Sequence, residues 1–366
     1  MLAISCQCTP VGFDNVNPVT EPPIKPQTLT RLRRLRQQHA KLVQSSWRKC
    51  ALPPEQRPAI TAFLGVFSEA QSVEGSKRRS NLRKSWFPGS ELDMNRLQHV
   101  SGIVARMVLG QQELSAARLD ALQLEEEQHG PIMRLPMQET RETGFLKVLA
   151  FWAAVTCQYD ARFILKADDD VYLHVDKVPL LLSQWEALEV GYGGCFVSKA
   201  AKEEDWPHQL SYYKDDNSSY AARQFYGVPG PVVHELMLLS APFRFFARED
   251  VGVANWMKAL DVEFLEDRRL CATSCLPTSV AIPLHPRLPG QRSVCPKSVP
   301  QTGPPCMLHL HHACSGQEGW QAEFEAHARF LRPFTDWAEA AQVELDRRSA
   351  ASCSGAACFE GLIASG

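Results

Sequence analysis

From about residue 59 onward the apolar positions come in blocks whose period alternates between strand-like and helix-like. The run "AITAFLGVFS" (59–68) is almost continuously apolar, which predicts a strand covered on both faces. "GSKRRSNLRKSWF" (75–87) then has helical spacing and a basic face, with Ser76 as the expected N-cap. "GIVARMVLG" (102–110) predicts a second strand, and "SAARLDALQLEEEQHG" (115–130) a helix stopped by Gly130. "PIMRL" (131–135) reads as a short third strand and "ETGFLKVLAFWAAVTCQ" (142–158) as a helix. "ARFILKA" (161–167) is a fourth strand that runs into three aspartates, and "VDKVPLLLSQWEAL" (175–188) a helix with Pro179 in its first turn. Alternation of this kind implies an α/β fold with a mostly parallel sheet.

The flanks have a different texture. Residues 1–27 carry five prolines and few large apolar groups, and "TLTRLRRLRQQHAKLVQSSWRK" predicts a basic helix at 28–49. The expected organisation is a leader and stem over 1–58, one α/β domain over 59–345 that includes a cysteine-rich segment at 271–314, and a flexible tail over 346–366. The stretch 193–230 reads as irregular and aromatic, with Trp206 and Tyr226 among its rings, the texture of loops that wall a ligand.

Composition narrows the partners. Lys and Arg total 39 against 41 Asp and Glu, a net charge of -2, so no whole-chain field favours nucleic acid or an anionic membrane. Of 12 cysteines, Cys271, Cys275, Cys295, Cys306 and Cys314 fall in the late segment, which favours disulfides and an oxidising compartment over reduced thiols or a zinc knuckle. No apolar run approaches the roughly 20 residues of a membrane span. The first residues, "MLAISCQCTPVGFDNV", have neither the basic flank nor the sustained hydrophobic region of a signal peptide.

The candidate chemistry lies in the carboxylates. Asp168 and Asp170, one residue apart at a strand end, can face the same side while Asp169 faces the other. Two carboxylates on one side suit a hard cation such as Mg²⁺ or Mn²⁺, and a charged turn is the alternative. Glu249 and Asp250 precede a helical pattern, as a general base or as helix-capping charges would. Arg79 and Arg83 share a helix face, fit for phosphate or for solvent. In "CMLHLHHAC" His309 and His311 lie on one side of an extended segment, where an imidazole could complete a metal shell.

Taken in order, "GSKRRSNLRKSWFP", "EEEQHGPIMRL", "KVLAFWAAVTCQYDARFILKADDDVYL", "REDVGVANWMKALDVEFLEDRRLC" and "CLPTSVAI" resemble the inverting β-1,3-galactosyltransferases of glycosyltransferase family 31, plant and algal branch. The resemblance runs from about Phe63 to Cys314. It implies a GT-A fold and Mn²⁺, or Mg²⁺, held by Asp168 and Asp170 with His311 as a further ligand. It also implies donor contacts from Arg79, Arg83, Lys166, Asp168 and Asp169, and Asp250 as the catalytic base with Glu249 as the alternative. Trp206 and Tyr226 then form the acceptor wall. The implied reaction moves galactose from UDP-galactose to a glycan or glycoprotein hydroxyl with inversion, in protein glycosylation at the lumenal face of the Golgi membrane. Two other readings are a catalytically silent relative that binds a nucleotide sugar or a partner transferase, and a Mg²⁺-dependent phosphohydrolase. Three features depart from the family pattern: Pro131 at its "GD" step, a shorter and less regular stretch at 227–243, and the divergent cysteine-rich tail at 279–306.

Overall fold

The computed structural model describes residues 37, 50, 52–140, 143–198, 219–239, 249–272 and 278–283. The expected stem helix, apart from Gln37, and the tail lie outside these residues, as do Trp206, His309, His311 and the late cysteines other than Cys271.

Strand β1 (Ala59–Phe67) is an inner strand, third in a seven-stranded sheet ordered β3-β2-β1-β4-β7-β6-β8. It pairs in parallel with β2 (Ile103–Gly110) on one side and β4 (Asp160–Asp168) on the other. Short β3 (Met133–Leu135) extends the parallel half. On the far side β7 (Ser219–Pro229) runs antiparallel to β4 and to β6 (Tyr192–Ser198), and β8 (Phe264–Glu266) pairs in parallel with β6. A two-stranded ladder joins β5 (Val171–Leu173) to β9 (Ala281–Pro283).

Both faces of the sheet are covered, which is why its strands read as unbroken apolar runs. Ala62, Leu64 and Val66 of β1 pack with Leu82 of α1 (Val73–Ser85), Met94 and Leu97 of α2 (Glu91–Ser101), Leu122 of α3 (Ala116–His129) and Leu181 of α5 (Val178–Ala187). Phe63 and Phe67 point the other way, into α4 (Gly144–Gln158), α6 (Gly230–Leu238) and α7 (Glu249–Ala259). This is the α/β sandwich with a mostly parallel sheet that the sequence leads one to expect, and it is the architecture implied by a GT-A fold.

Three expectations are corrected. Helix α1 begins at Val73 and its N-cap is Ser72, whose Oγ accepts the Gly75 N–H at 2.9 Å, whereas Ser76 lies inside the first turn. Helix α2 is an addition: only Met94 and Leu97 of it are buried, so its polar sequence has no apolar stripe to reveal it. The stretch 193–230 is not irregular throughout, because β6 and β7 lie in it and α6 follows. Glycines suggested loops there, but a Cβ at Gly193 or Gly227 would fall 2.5 Å and 2.7 Å from the Trp185 ring. These glycines make room for an indole lying on the sheet.

Disulfides Cys50–Cys157 and Cys195–Cys271 tie the segment before β1 to the end of α4, and β6 to the turn before residue 272. Among the described residues no helix is long and apolar enough to cross a membrane.

Candidate active site

The parallel register of β1 and β4 sets Phe67 beside Asp168, so the two strands end together. At these C-terminal ends, where open α/β sheets bind ligands, lies a cavity of about 750 Å³. Phe67, Ser68, Glu69 and Gln71 line it from the β1 side, Arg78 from α1, Glu139 and Lys147 from the α4 side, and Asp168, Asp169 and Asp170 from the β4 end. The segment after the aspartates is anchored by Trp86, whose indole N–H donates to the Val171 carbonyl at 2.8 Å.

The three aspartates have different settings. Asp168 accepts from Lys166 Nζ at 2.5 Å on one face of β4. Asp169 is buried and meets Arg78 Nη1 at 3.1 Å, while its own N–H donates to the Phe67 carbonyl at 3.1 Å. Burial pushes its carboxyl above the usual range, and the Ser68 hydrogen bond and Arg78 only partly pull it back. Burial works against the charge of Arg78, but Asp169 and Asp170 outweigh it and hold the guanidinium above its ordinary value. Among the described residues no group of three or more His, Cys, Asp and Glu side chains is gathered to hold a metal. Asp168 and Asp170 do line the cavity with carboxylate oxygens, the donor chemistry that Mn²⁺ and Mg²⁺ take.

Lys166 is almost fully buried and bridges to a second carboxylate, Glu249 Oε2, at 3.4 Å. Tyr226, its cross-strand neighbour on β7, donates from its hydroxyl to Glu249 Oε1 at 2.8 Å. Burial raises the Glu249 carboxyl, opposed by Lys166 and reinforced by Asp168. Asp168, Lys166, Glu249 and Tyr226 thus form one chain of contacts from β4 to the N-terminus of α7.

Several of the expected site residues lie away from the cavity lining. Arg79 and Arg83 do not line the cavity: both are buried and both bind Glu125 of α3, at 2.8 Å and 2.7 Å. The arginine that faces the cavity is Arg78, their neighbour in the sequence. Lys166 is spent on two carboxylates and does not line the cavity. The Tyr226 ring is fully buried, so it offers no face to an acceptor and instead steadies Glu249. Asp250 is fully buried, with Oδ1 accepting the Val251 N–H at 2.9 Å, and it is Glu249 that joins the cluster. Pro131 is exposed and stands apart from the cavity lining. Glu139 carries no motif in the sequence, and Lys147 only opens one of the family-like stretches with no role attached to it.

The aspartate-rimmed cleft thus lies at the C-terminal edge of a largely parallel sheet, where open α/β proteins bind their ligands. The galactosyltransferase family model matches residues 77–268, which include most of α1, the aspartate triplet and α7, and the chain belongs to that family. "Probable beta-1,3-galactosyltransferase 1" of Arabidopsis thaliana is 30% identical over 224 residues, 58% of this chain and 57% of its own length. "Probable beta-1,3-galactosyltransferase 13" of the same plant is 28% identical over 242 residues, covering 64% of this chain and 68% of its own. The chain therefore spans 57% and 68% of the lengths of these two relatives. A solved structure of the galactosyltransferase LgtC in complex with donor and acceptor sugar analogs is 10% identical, with a TM-score of 0.37 over 71% of this chain and 99% of that one.

Proposed function

We propose that the chain is an inverting hexosyltransferase that moves galactose from UDP-galactose to a hydroxyl of a glycan or glycoprotein in β-1,3 linkage. The observation that carries this reading is the link from Asp168 through Lys166 to Glu249, at 2.5 Å and 3.4 Å. It couples a carboxylate at the cleft that would receive the diphosphate to a carboxylate at a helix N-terminus fit for proton transfer.

In the reaction the acceptor hydroxyl gives its proton to a carboxylate at the start of α7, its oxygen bonds to the anomeric carbon, and the bond from that carbon to UDP breaks on the opposite face. Asp250 is the base that the family resemblance implies, and Glu249 the one that geometry joins to the cleft. Arg78 is set to meet a phosphate oxygen at the cleft. Asp168 and Asp170, with His311 beyond the described residues, would hold Mn²⁺ or Mg²⁺, whose charge neutralises the departing diphosphate. Two disulfides in the fold support maturation in an oxidising compartment, in keeping with the lumenal Golgi location that the resemblance implies.

A second reading, a catalytically silent member that binds nucleotide sugar, is favoured by the complete burial of Asp250. The test is UDP release from UDP-galactose by the purified chain with and without Mn²⁺. Release that needs the ion and vanishes in Asp170→Ala supports the transferase, while release undiminished in Asp170→Ala sinks it. UDP binding without turnover selects the silent reading. Glu249→Gln and Asp250→Asn, assayed side by side, identify the base as the position whose amide lowers kcat most.

A further inference from the structure

We propose that Glu139 and Lys147 are a positioning pair that fixes the segment 68–70 as the donor-facing rim of the cleft. This rests on the transferase reading above and deepens it. One carboxylate fastens two strand ends: Glu139 Oε2 accepts the Ala70 N–H at 2.8 Å, just past β1, and Oε1 accepts the Gly110 N–H at 2.9 Å, at the end of β2. The same carboxylate pairs with Lys147 of α4, and the Lys147 ammonium donates to the Ser68 carbonyl at 2.6 Å. That ammonium also stands 5.0 Å from the centre of the Phe67 ring, which lines the cleft.

The room for this device is written into β2. A Cβ on Gly110 would fall 2.5 Å from Glu139 Cγ and 2.8 Å from the Met137 carbonyl, so a glycine is what admits the carboxylate. On the opposite side Arg79 donates to the Glu69 carbonyl at 2.8 Å and to Ser68 Oγ at 3.3 Å, its charge balanced by Glu125. The Ser68 N–H donates to the Val108 carbonyl at 3.3 Å. Three consecutive residues without regular structure are thus held from both sides by buried charged groups. Holding them in advance removes an ordering cost that donor binding would otherwise meet.

What the rim presents is its side chains: Ser68, Glu69 and Gln71 line the cavity that the aspartate triplet closes at the β4 end. A nucleoside diphosphate laid between them meets hydrogen-bonding groups of the rim at one end and Arg78 and the carboxylates at the other. Glu139 and Lys147, themselves part of the cavity lining, hold that rim in place, so their loss weakens donor binding in protein that is still folded.

The test is calorimetric titration of UDP in the presence of Mn²⁺, with thermal melting in parallel, on the full chain and on Lys147→Met, Glu139→Gln and Lys147→Arg. The expected result is at least about tenfold weaker UDP binding for Lys147→Met and Glu139→Gln well below their melting temperatures, with partial recovery in Lys147→Arg. A donor KM that rises while kcat holds is the matching kinetic signature. Folded variants that bind UDP within about twofold of the unaltered chain overturn the pair's role and leave the transferase reading intact. An unaltered chain that does not bind UDP overturns the transferase reading itself. If the charge variants do not fold, Gly110→Ala, which keeps both charges but crowds Glu139, is expected to lose UDP affinity, and unchanged affinity there overturns the proposal.

Discussion

Lys166 reaches from β4 to Glu249 at the first turn of α7, 3.4 Å away, while holding Asp168 at 2.5 Å on its own strand. An ammonium this buried is retained because each carboxylate needs it: Glu249 is mostly shielded from water, and Asp168 raises its carboxyl further. Lys166→Met therefore leaves two carboxylates with no buried cation between them and is expected to cost about 3–5 kcal/mol. Adding Glu249→Gln to it should restore part of that loss, since the neutral amide no longer needs the ammonium. Urea unfolding of the two single variants and the double variant checks the cycle; purely additive losses would show that Lys166 and Glu249 do not interact.

Glu125 carries the same logic with the signs reversed, one partly buried carboxylate serving Arg79 and Arg83. Burial pushes its carboxyl up, but hydrogen bonds and charge from both arginines win and hold it below the usual 4.5. A carboxyl depressed in the folded state contributes stability that is fully present above pH 4.5 and is lost as pH falls through its folded value. Glu125→Gln is expected to cost about 3–5 kcal/mol at neutral pH, and its gap from the unaltered chain should narrow below the usual carboxylate range. Melting temperatures from pH 7 downward measure this, and a gap constant across that range would remove Glu125 as the charge that holds α1 to α3.

How much of this was legible follows from what each residue can signal alone. Strands β1, β2 and β4 declare themselves because both faces are covered and the apolar run is unbroken. The aspartate triplet is legible as chemistry because like charges at a strand end need a compensating partner. The pairing of Arg79 and Arg83 is not legible because their partner is distant: Glu125 lies 46 residues from Arg79, and no local pattern announces it. The rings of the 193–230 stretch mislead for the opposite reason, since Tyr226 is core and the glycines that mimic a loop accommodate Trp185. Glu139 is invisible for want of a motif, its partners being backbone N–H groups of Ala70 and Gly110.

Trp86 links the packing of α1 to the placement of Asp170. Its indole N–H donates to the Val171 carbonyl at 2.8 Å, one residue past the triplet, and both residues are buried. Val171 stands opposite Pro283 at a non-hydrogen-bonded position of the β5–β9 ladder, so its carbonyl points away from β9 and the indole is the donor that meets it. Trp86→Phe keeps most of the ring and its edge contact with Phe87 but removes that donor. Leaving the carbonyl buried without it is expected to cost about 1–3 kcal/mol by denaturant unfolding. Because the freed segment begins beside Asp170, UDP affinity measured with Mn²⁺ should fall as well. Stability and affinity both equal to the unaltered chain would mean that the indole packs against this segment without holding it.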